Sequence, residues 1–481
     1  MHKTIKLALT AATPVLLLAG CSDFLKGAKL TNNPNLPTQA TTNQLFVGVE
    51  VAVMAQYENY PIMLFMTWAQ GIAGVNRQWQ TYASYNGGTD QGAAEGAWNQ
   101  TYGPGGLRDI RTIEASTTAS GALRWRGMTR VLEALYMGTA ADIWGDVPYS
   151  GAGTATPMFD TQATVYAHVI ALLDSAITDM GDANTTVPAS EFFYNSDMPS
   201  WIKMAHTLKA RFIMHTAQTS AGVYDATHLN DVITETGLGI SSAAGDFKPS
   251  HTSAPGEQNL FYSFQFSRAG DVMPAGTHIS LTKAAGEIAQ LPQWYTPSAG
   301  TTGIYGARAG LPTEYPDGYA PDSISIFEVT NDPAVAWPIV SYAENQMLLA
   351  EAQARTLGFA AGVVTLNNYR ATLSPAPGAL APANLGATLA DILREKFIHS
   401  FFNMEPWNDY QRTCYPNIPQ PAGVNASAMY VPGRLPVGTT EQATNPNLPN
   451  QNNGSNPQNA NNFKLATSVD GTACIGQANL P

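Results

Sequence analysis

The chain has 481 residues, 44% of them hydrophobic and only 12% charged, with 24 Lys and Arg against 36 Asp and Glu for a formal charge of −12. That balance leaves no basic stripe to neutralise phosphates and argues against a nucleic-acid partner. The length suffices for one large domain or two to three ordinary ones around a sizeable core. The first 21 residues read as a bacterial lipoprotein signal. Lys3 and Lys6 form a positive n-region, Leu7 to Leu18 is apolar but too short to span a bilayer, and Leu18-Ala19-Gly20-Cys21 closes on the cysteine at which cleavage is expected. Residues 1–20 are the signal peptide in this reading and Cys21 is the lipidation site, where several acyl chains anchor stably while one binds only marginally. Residues 21–40, with their prolines and asparagines, read as an extended tether.

Helical periodicity follows. Met128, Val131, Leu132, Leu135 and Thr139 form one stripe of a helix stopped at Trp144-Gly145-Asp146-Val147-Pro148-Tyr149. A second helix, capped by Asp160 or Thr161, carries Val165, Val169, Leu172, Ala176 and Met180 on one face. Pro199 suits the first turn of a third, with Trp201, Met204, Leu208, Phe212 and His215 inward. Ile339 to Arg355 and Leu389 to Phe402 share this period, and a shorter helix starts near Glu405-Pro406-Trp407. Such helix pairs suggest an α-solenoid, although no regular sequence repeat accompanies them. Between them lie segments rich in Gly, Pro, Tyr and Asn at 71–106, 181–198, 240–336 and 415–481. Short strands are expected inside 240–336, for example Leu260 to Phe266. Residues 443–463 hold nine asparagines and read as a surface excursion.

Enzyme signatures are absent: the chain has no HExxH, GxxxxGK[ST], GxSxG or CxxC. Two carboxylate pairs, Asp142 with Asp146 and Glu314 with Asp317, are the nearest to glycosidase chemistry, and Asp142 and Asp146 bracket a helix end where carboxylates commonly bond backbone amides. The eight histidines show no metal-ligand spacing, and His206 and His215, nine apart on one helix, point to different faces, so no metal or cofactor is expected. With Cys21 acylated, Cys414 and Cys474 remain, either as two thiols or as a bridge whose loop of about 60 residues would contribute roughly 4 kcal/mol.

Aromatic residues carry the ligand expectation. Trp79, Tyr82 and Tyr85 with Asn86 sit in one polar stretch, and Trp294 and Tyr295 with Arg308 repeat the mixture. Rings pack the apolar face of a pyranose while amides and guanidinium groups bond its hydroxyls, although such rings also pin long loops to a core. As an exposed platform, Trp79 would be worth about 1 to 3 kcal/mol of sugar binding. Trp98 and Tyr102, four apart on a helix, read as core.

The helical blocks carry a resemblance. Asp142-Ile143-Trp144-Gly145-Asp146-Val147-Pro148-Tyr149 resembles the D-x-W-G-D-[IV]-P-Y block of the SusD/RagB family of nutrient-binding outer-membrane lipoproteins. Residues 159–162, 201–211, 342–352, 395–396, 407–416 and Pro432-Gly433-Arg434-Leu435-Pro436 resemble its later blocks in order, and Ser22-Asp23 resembles the surface-export signals of such lipoproteins. Cys414 stands where that family commonly has glycine, and Pro406 where it often has a small helix former.

The resemblance implies a mainly α fold: one domain over residues 41–481 with a tetratricopeptide-like helix-pair scaffold, mainly 107–217 and 339–412. It also implies a long loop-rich ligand-facing half and a few short strands. The implied role is capture of an oligosaccharide or polysaccharide, or in some branches a peptide, at the outer surface of the cell. Its partner would be a SusC-type TonB-dependent transporter in the outer membrane, over which such proteins act as a lid. A glycoside hydrolase and an adhesin-like lipoprotein remain the alternatives.

Overall fold

The computed structural model describes residues 40–85, 91–184, 186–302, 323–327, 332–381, 385–416, 431–450, 458–463 and 465–474. The signal peptide, Cys21 and the tether through residue 39 lie outside these.

The N-terminal half runs α1 (Thr42–Tyr57), α2 (Tyr60–Trp68), β1 (Ile72–Gly74), α3 (Arg77–Tyr82), α4 (Gln91–Tyr102), α5 (Leu107–Ser120), α6 (Leu123–Trp144), α7 (Gln162–Met180) and α8 (Met198–Thr216). It continues through β2 (Gln218–Ser220), β3 (Val223–Tyr224), α9 (Ala226–Leu238), α10 (Leu260–Ser267), β4 (Val272–Pro274) and α11 (Gly276–Ala284). After a 3-10 turn come β5 (Tyr295–Thr302), β6 (Ser323–Phe327), α12 (Tyr342–Thr356), α13 (Phe359–Arg370), α14 (Leu385–His399), α15 (Glu405–Thr413) and α16 (Thr439–Thr444). Among the described residues the strands make three two-stranded antiparallel ribbons, so the fold is mainly α.

The central element is α6. From Gly127 to Trp144 every residue but Arg130 is buried, not a single stripe, because α5, α7 and α8 all pack on it. Gly127 permits the close approach of α7: a Cβ there would lie 2.6 Å from Met180 Cγ and 2.7 Å from the Ala176 carbonyl. Helix stacking then proceeds in series, α7 on α8, α8 on α9, α9 on α12, and α12 on both α13 and α14, the nearest-neighbour arrangement of a solenoid.

Local chemistry sets the ends. Thr161 caps α7 by accepting from Thr164 N at 3.2 Å, while Asp160 accepts from Tyr149 N at 3.0 Å and Ser150 N at 2.6 Å and so closes the preceding turn. Pro199 occupies the first turn of α8, and Pro406 the first turn of α15. The helix expected from Ile339 starts at Tyr342, because Val340 first pairs in extended form with Phe247. That expected to reach Phe402 ends at His399, and Phe402 has φ +61°.

The Pro432–Pro436 segment returns to the helix ends: Leu435 N donates to Ile143 O at 2.8 Å, Trp144 Nε1 to Pro436 O at 3.1 Å and Trp407 Nε1 to Pro432 O at 2.9 Å. Cys414 ends α15 in the left-handed conformation at φ +57°, which explains why glycine suits this position. It is disulfide-bonded to Cys474, with the two Cα atoms 5.8 Å apart. The asparagine-rich stretch is less of an excursion than expected. Asn445 and Asn459 are buried, and Asn445 Nδ2 donates to Pro157 O at 2.8 Å.

Candidate functional site

The aromatic stretch read as a loop forms a short helix. Asn76 caps α3, its side chain accepting from Arg77 N at 2.9 Å. The turn of α3 points Trp79 and Tyr82 inward, where Trp79 lies 5.3 Å from Tyr82 and 5.6 Å from Phe264, and Tyr60 lies 5.8 Å from Tyr82. Trp79, Tyr82 and Tyr85 are each only 2% exposed, and the Tyr85 hydroxyl donates to Trp68 O at 3.2 Å. Trp294 and Tyr295 are also buried, against His278 and His399. His278 Nε2 donates to Ile398 O at 3.0 Å, so its Nδ1 accepts the Tyr295 hydroxyl at 2.8 Å, and burial holds the imidazole neutral by pushing its pKa down to about 4. These five rings therefore offer no exposed platform in this structure; edge-to-face packing takes up their faces. Asn86, Arg308, Glu314 and Asp317 lie outside the described residues.

The same packing places a different pair of rings on the surface. Residues Leu260 to Phe266, expected as a strand, form α10, because the Asn259 side chain accepts from Phe261 N at 2.9 Å and Tyr262 N at 3.0 Å and caps it. In an extended strand Tyr262 and Phe266 would stand about 13 Å apart; one turn of helix brings their ring centroids to 6.4 Å with an interplanar angle of 15°. Phe266 is 82% exposed and Tyr262 half-buried. Phe264, on the opposite flank of α10, reaches Trp79. An aromatic i,i+4 spacing was the signal available in the sequence, and reading the segment as a strand hid it.

A buried carboxylate ties this corner together. Asp271, fully buried, receives Arg77 Nη1 at 2.8 Å and Arg268 Nε at 2.9 Å, while Arg268 Nη2 donates to Gln78 Oε1 at 3.1 Å. The β1–β4 register, Ile72 opposite Pro274 and Gly74 opposite Val272, continues the link between the α3 and α10 segments. Arg77 itself has φ +48°, a strained backbone that the surrounding contacts hold.

In the helical frame, buried charged groups pair with one another. Arg211 donates to both oxygens of Glu344, at 2.5 and 2.6 Å, Lys396 reaches Glu405 at 3.0 Å and Asp409 at 3.2 Å, and Arg412 pairs with Glu351 at 2.5 and 2.7 Å. His215 stands between Asp142, at 2.9 Å, and Glu405, at 3.2 Å. Burial alone would lower its pKa, but the two carboxylates outweigh it and raise the value to about 10. Asp142, His215 and Glu405 bring ligand atoms close enough for a metal, as do Glu287, Glu395 and His399. In the first group Lys396 already neutralises Glu405; in the second Arg370 bonds both glutamates. Each is therefore read as a charge-compensated cluster with a cation of its own, not as a metal centre. His206 instead pairs with Glu235 at 2.6 Å, on another face of α8 from His215. Asp146 accepts from Gln162 N at 2.9 Å, the backbone-bonding role expected for a carboxylate at a helix end.

The family model described as SusD-like, "Starch-binding associating with outer membrane", matches residues 34–436. The chain belongs to the SusD-like family. Solved SusD-like structures share its fold at low identity. A SusD/RagB family protein from Bacteroides thetaiotaomicron is 23% identical, with 85% of this chain and 95% of that one covered and a TM-score of 0.64. A SusD-like protein from the same organism is 19% identical, with 90% and 100% covered and a TM-score of 0.68. A chitin-binding SusD homolog from Flavobacterium johnsoniae is 17% identical, with 86% and 98% covered and a TM-score of 0.60. No curated protein matches the chain. The tetratricopeptide-like scaffold expected from the helical blocks is thus the SusD-like fold, and among the described residues no helix is long and apolar enough to cross a membrane.

Proposed function

We propose that this SusD-like protein captures a glycan on the surface formed by Tyr262 and Phe266 and passes it, without chemistry of its own, to a SusC-type TonB-dependent transporter. The observation that carries the reading is the exposed, nearly parallel pair on α10, 6.4 Å between centroids, in a protein of a starch-binding family. Phe266, 82% exposed and stacked on Tyr262, offers an apolar ring to the C–H face of a pyranose. Trp79 serves here as packing against Phe264, on the flank of α10 opposite the ring pair. The lipidation signal at Cys21 supports attachment to the outer membrane from its outer side.

The test is a binding titration of starch and chitin oligosaccharides against the wild-type chain and Phe266→Ala. A loss of roughly tenfold or more in the variant supports the surface; equal affinity removes it. Extraction of the tagged lipoprotein from native outer membrane tests the partner. A stoichiometric TonB-dependent barrel supports the transporter role, and its absence under gentle extraction favours a free-standing binding protein.

A further inference from the structure

A cleft unrelated to the ring pair opens where α6 and α8 end, beside the start of α7 and along α15, and among the described residues Gly433, Asn459 and residues 461–463 also line it. It encloses about 90 Å³. At about 10–15 Å³ per water position this is room for roughly six to nine waters, or one small ring, and not for a chain.

Its lining is dominated by carboxamides: Gln162, Gln218, Asn408, Gln411, Asn461 and Asn462. Each carboxamide has two donors and two acceptor lone pairs, and the bonds within the protein use only part of that capacity. Gln411 Nε2 donates to Pro432 O at 3.3 Å and its Oε1 accepts from Asn462 Nδ2 at 3.0 Å; Asn408 Nδ2 donates to Glu405 Oε1 at 2.9 Å. The charged groups that reach the cleft are already matched, Asp142 by His215 at 2.9 Å and Arg412 by Glu351 and Asp409. Neither an anion nor a cation therefore finds an uncompensated partner. Tyr166 and Trp407 add apolar wall, and Phe463, 36% exposed, lines the same space. Groups that both donate and accept suit hydroxyls, and rings beside them suit a C–H face.

We infer that this cleft binds a single neutral sugar residue, at a site separate from the Tyr262–Phe266 surface. The amides hold its hydroxyls, and the size of the cleft limits occupancy to one residue. Sugar selectivity then resides in residues 459–463, which Asn461 Nδ2 ties to Asp146 Oδ1 at 3.1 Å.

The experiment titrates the full chain, by saturation-transfer NMR, with D-glucose, D-galactose, D-mannose and N-acetyl-D-glucosamine in turn. At least one is expected to bind saturably with a millimolar constant. Gln411→Ala and Asn462→Ala should weaken it about tenfold. Gln411→Glu, which keeps the shape and removes two donors, should weaken it similarly, and Val364→Ala, at an exposed position on α13 outside both sites, should leave it unchanged. No saturable binding of any of the four overturns the inference, as does binding indifferent to Gln411→Glu. Loss in Phe266→Ala with retention in Gln411→Glu places the monosaccharide on α10 and overturns the cleft alone. Oligosaccharide binding indifferent to Phe266, with monosaccharide binding lost in Gln411→Glu, overturns the surface and supports the cleft.

Discussion

The helical frame and the α3–α10 corner are held by opposite means. In the frame, Arg211, Glu344, Lys396, Glu405, Glu351 and Arg412 interlock buried charges from α8, α12, α14 and α15, each with a defined partner and distance. At the corner, Tyr60, Trp79, Tyr82 and Phe264 meet through ring contacts, and the buried carboxylate of Asp271 receives Arg77 and Arg268, which are partly exposed. Buried charges must be matched one to one, whereas ring packing is satisfied by many arrangements of similar volume. Five of the six residues of the charge network, Arg211, Glu344, Glu351, Lys396 and Arg412, lie in the blocks 201–211, 342–352, 395–396 and 407–416 that resemble the family, while no ring of the corner does.

The largest expected effect breaks the frame. Arg211→Met leaves Glu344 buried without its cation and should destabilise the protein by about 3–5 kcal/mol in denaturant unfolding. A loss below about 1 kcal/mol would mean that the network adds little to the scaffold. Next comes the corner: Trp79→Ala removes a ring packed on Tyr82 and Phe264 and should cost about 3 kcal/mol of stability, at the lower end for such truncations because α3 is a single short helix. In whatever fraction remains folded, sugar affinity should be unchanged, the reverse of the 1 to 3 kcal/mol binding loss that an exposed platform predicts.

A pH comparison sharpens the frame's side. The pKa of His215 is raised in the folded state from 6.5 to about 10, with burial opposing the shift and Asp142 and Glu405 driving it. Its contribution is therefore fully present below pH 6.5 and is lost as pH rises through about 10. The stability gap between wild type and His215→Gln should be widest below pH 6.5 and should narrow as pH approaches 10. A gap constant over this range would show that the imidazole is held neutral.

Much of the scaffold was legible because helix periods, caps and prolines act locally: Thr161, Pro199 and Glu405-Pro406 mark helix starts that the structure keeps. The corner was less legible. Trp79 and Tyr82 look polar and loop-like in sequence because Gln80, Thr81 and Ser84 surround them, yet one short turn directs both rings inward. Whether a ring is buried depended on Phe264, nearly two hundred residues away, which no local pattern reports. The strand expectation for Leu260 to Phe266 failed for a related reason. Apolar residues in a short run fit either period, and the deciding Asn259 cap was a single residue outside the run.

The smallest expected effect is on stability at Phe266. Its ring is 82% exposed, so truncation to alanine removes little packing, and unfolding should shift by no more than about 0.5 kcal/mol. The same variant is expected to lose roughly tenfold in oligosaccharide affinity, because the surface next to Tyr262 is cut by half. The pair of measurements separates the two roles that aromatic residues play here. Trp79→Ala should lose stability and keep affinity; Phe266→Ala should keep stability and lose affinity. If both variants lose stability alone, the rings of the corner are all packing and the ligand surface lies elsewhere on the molecule.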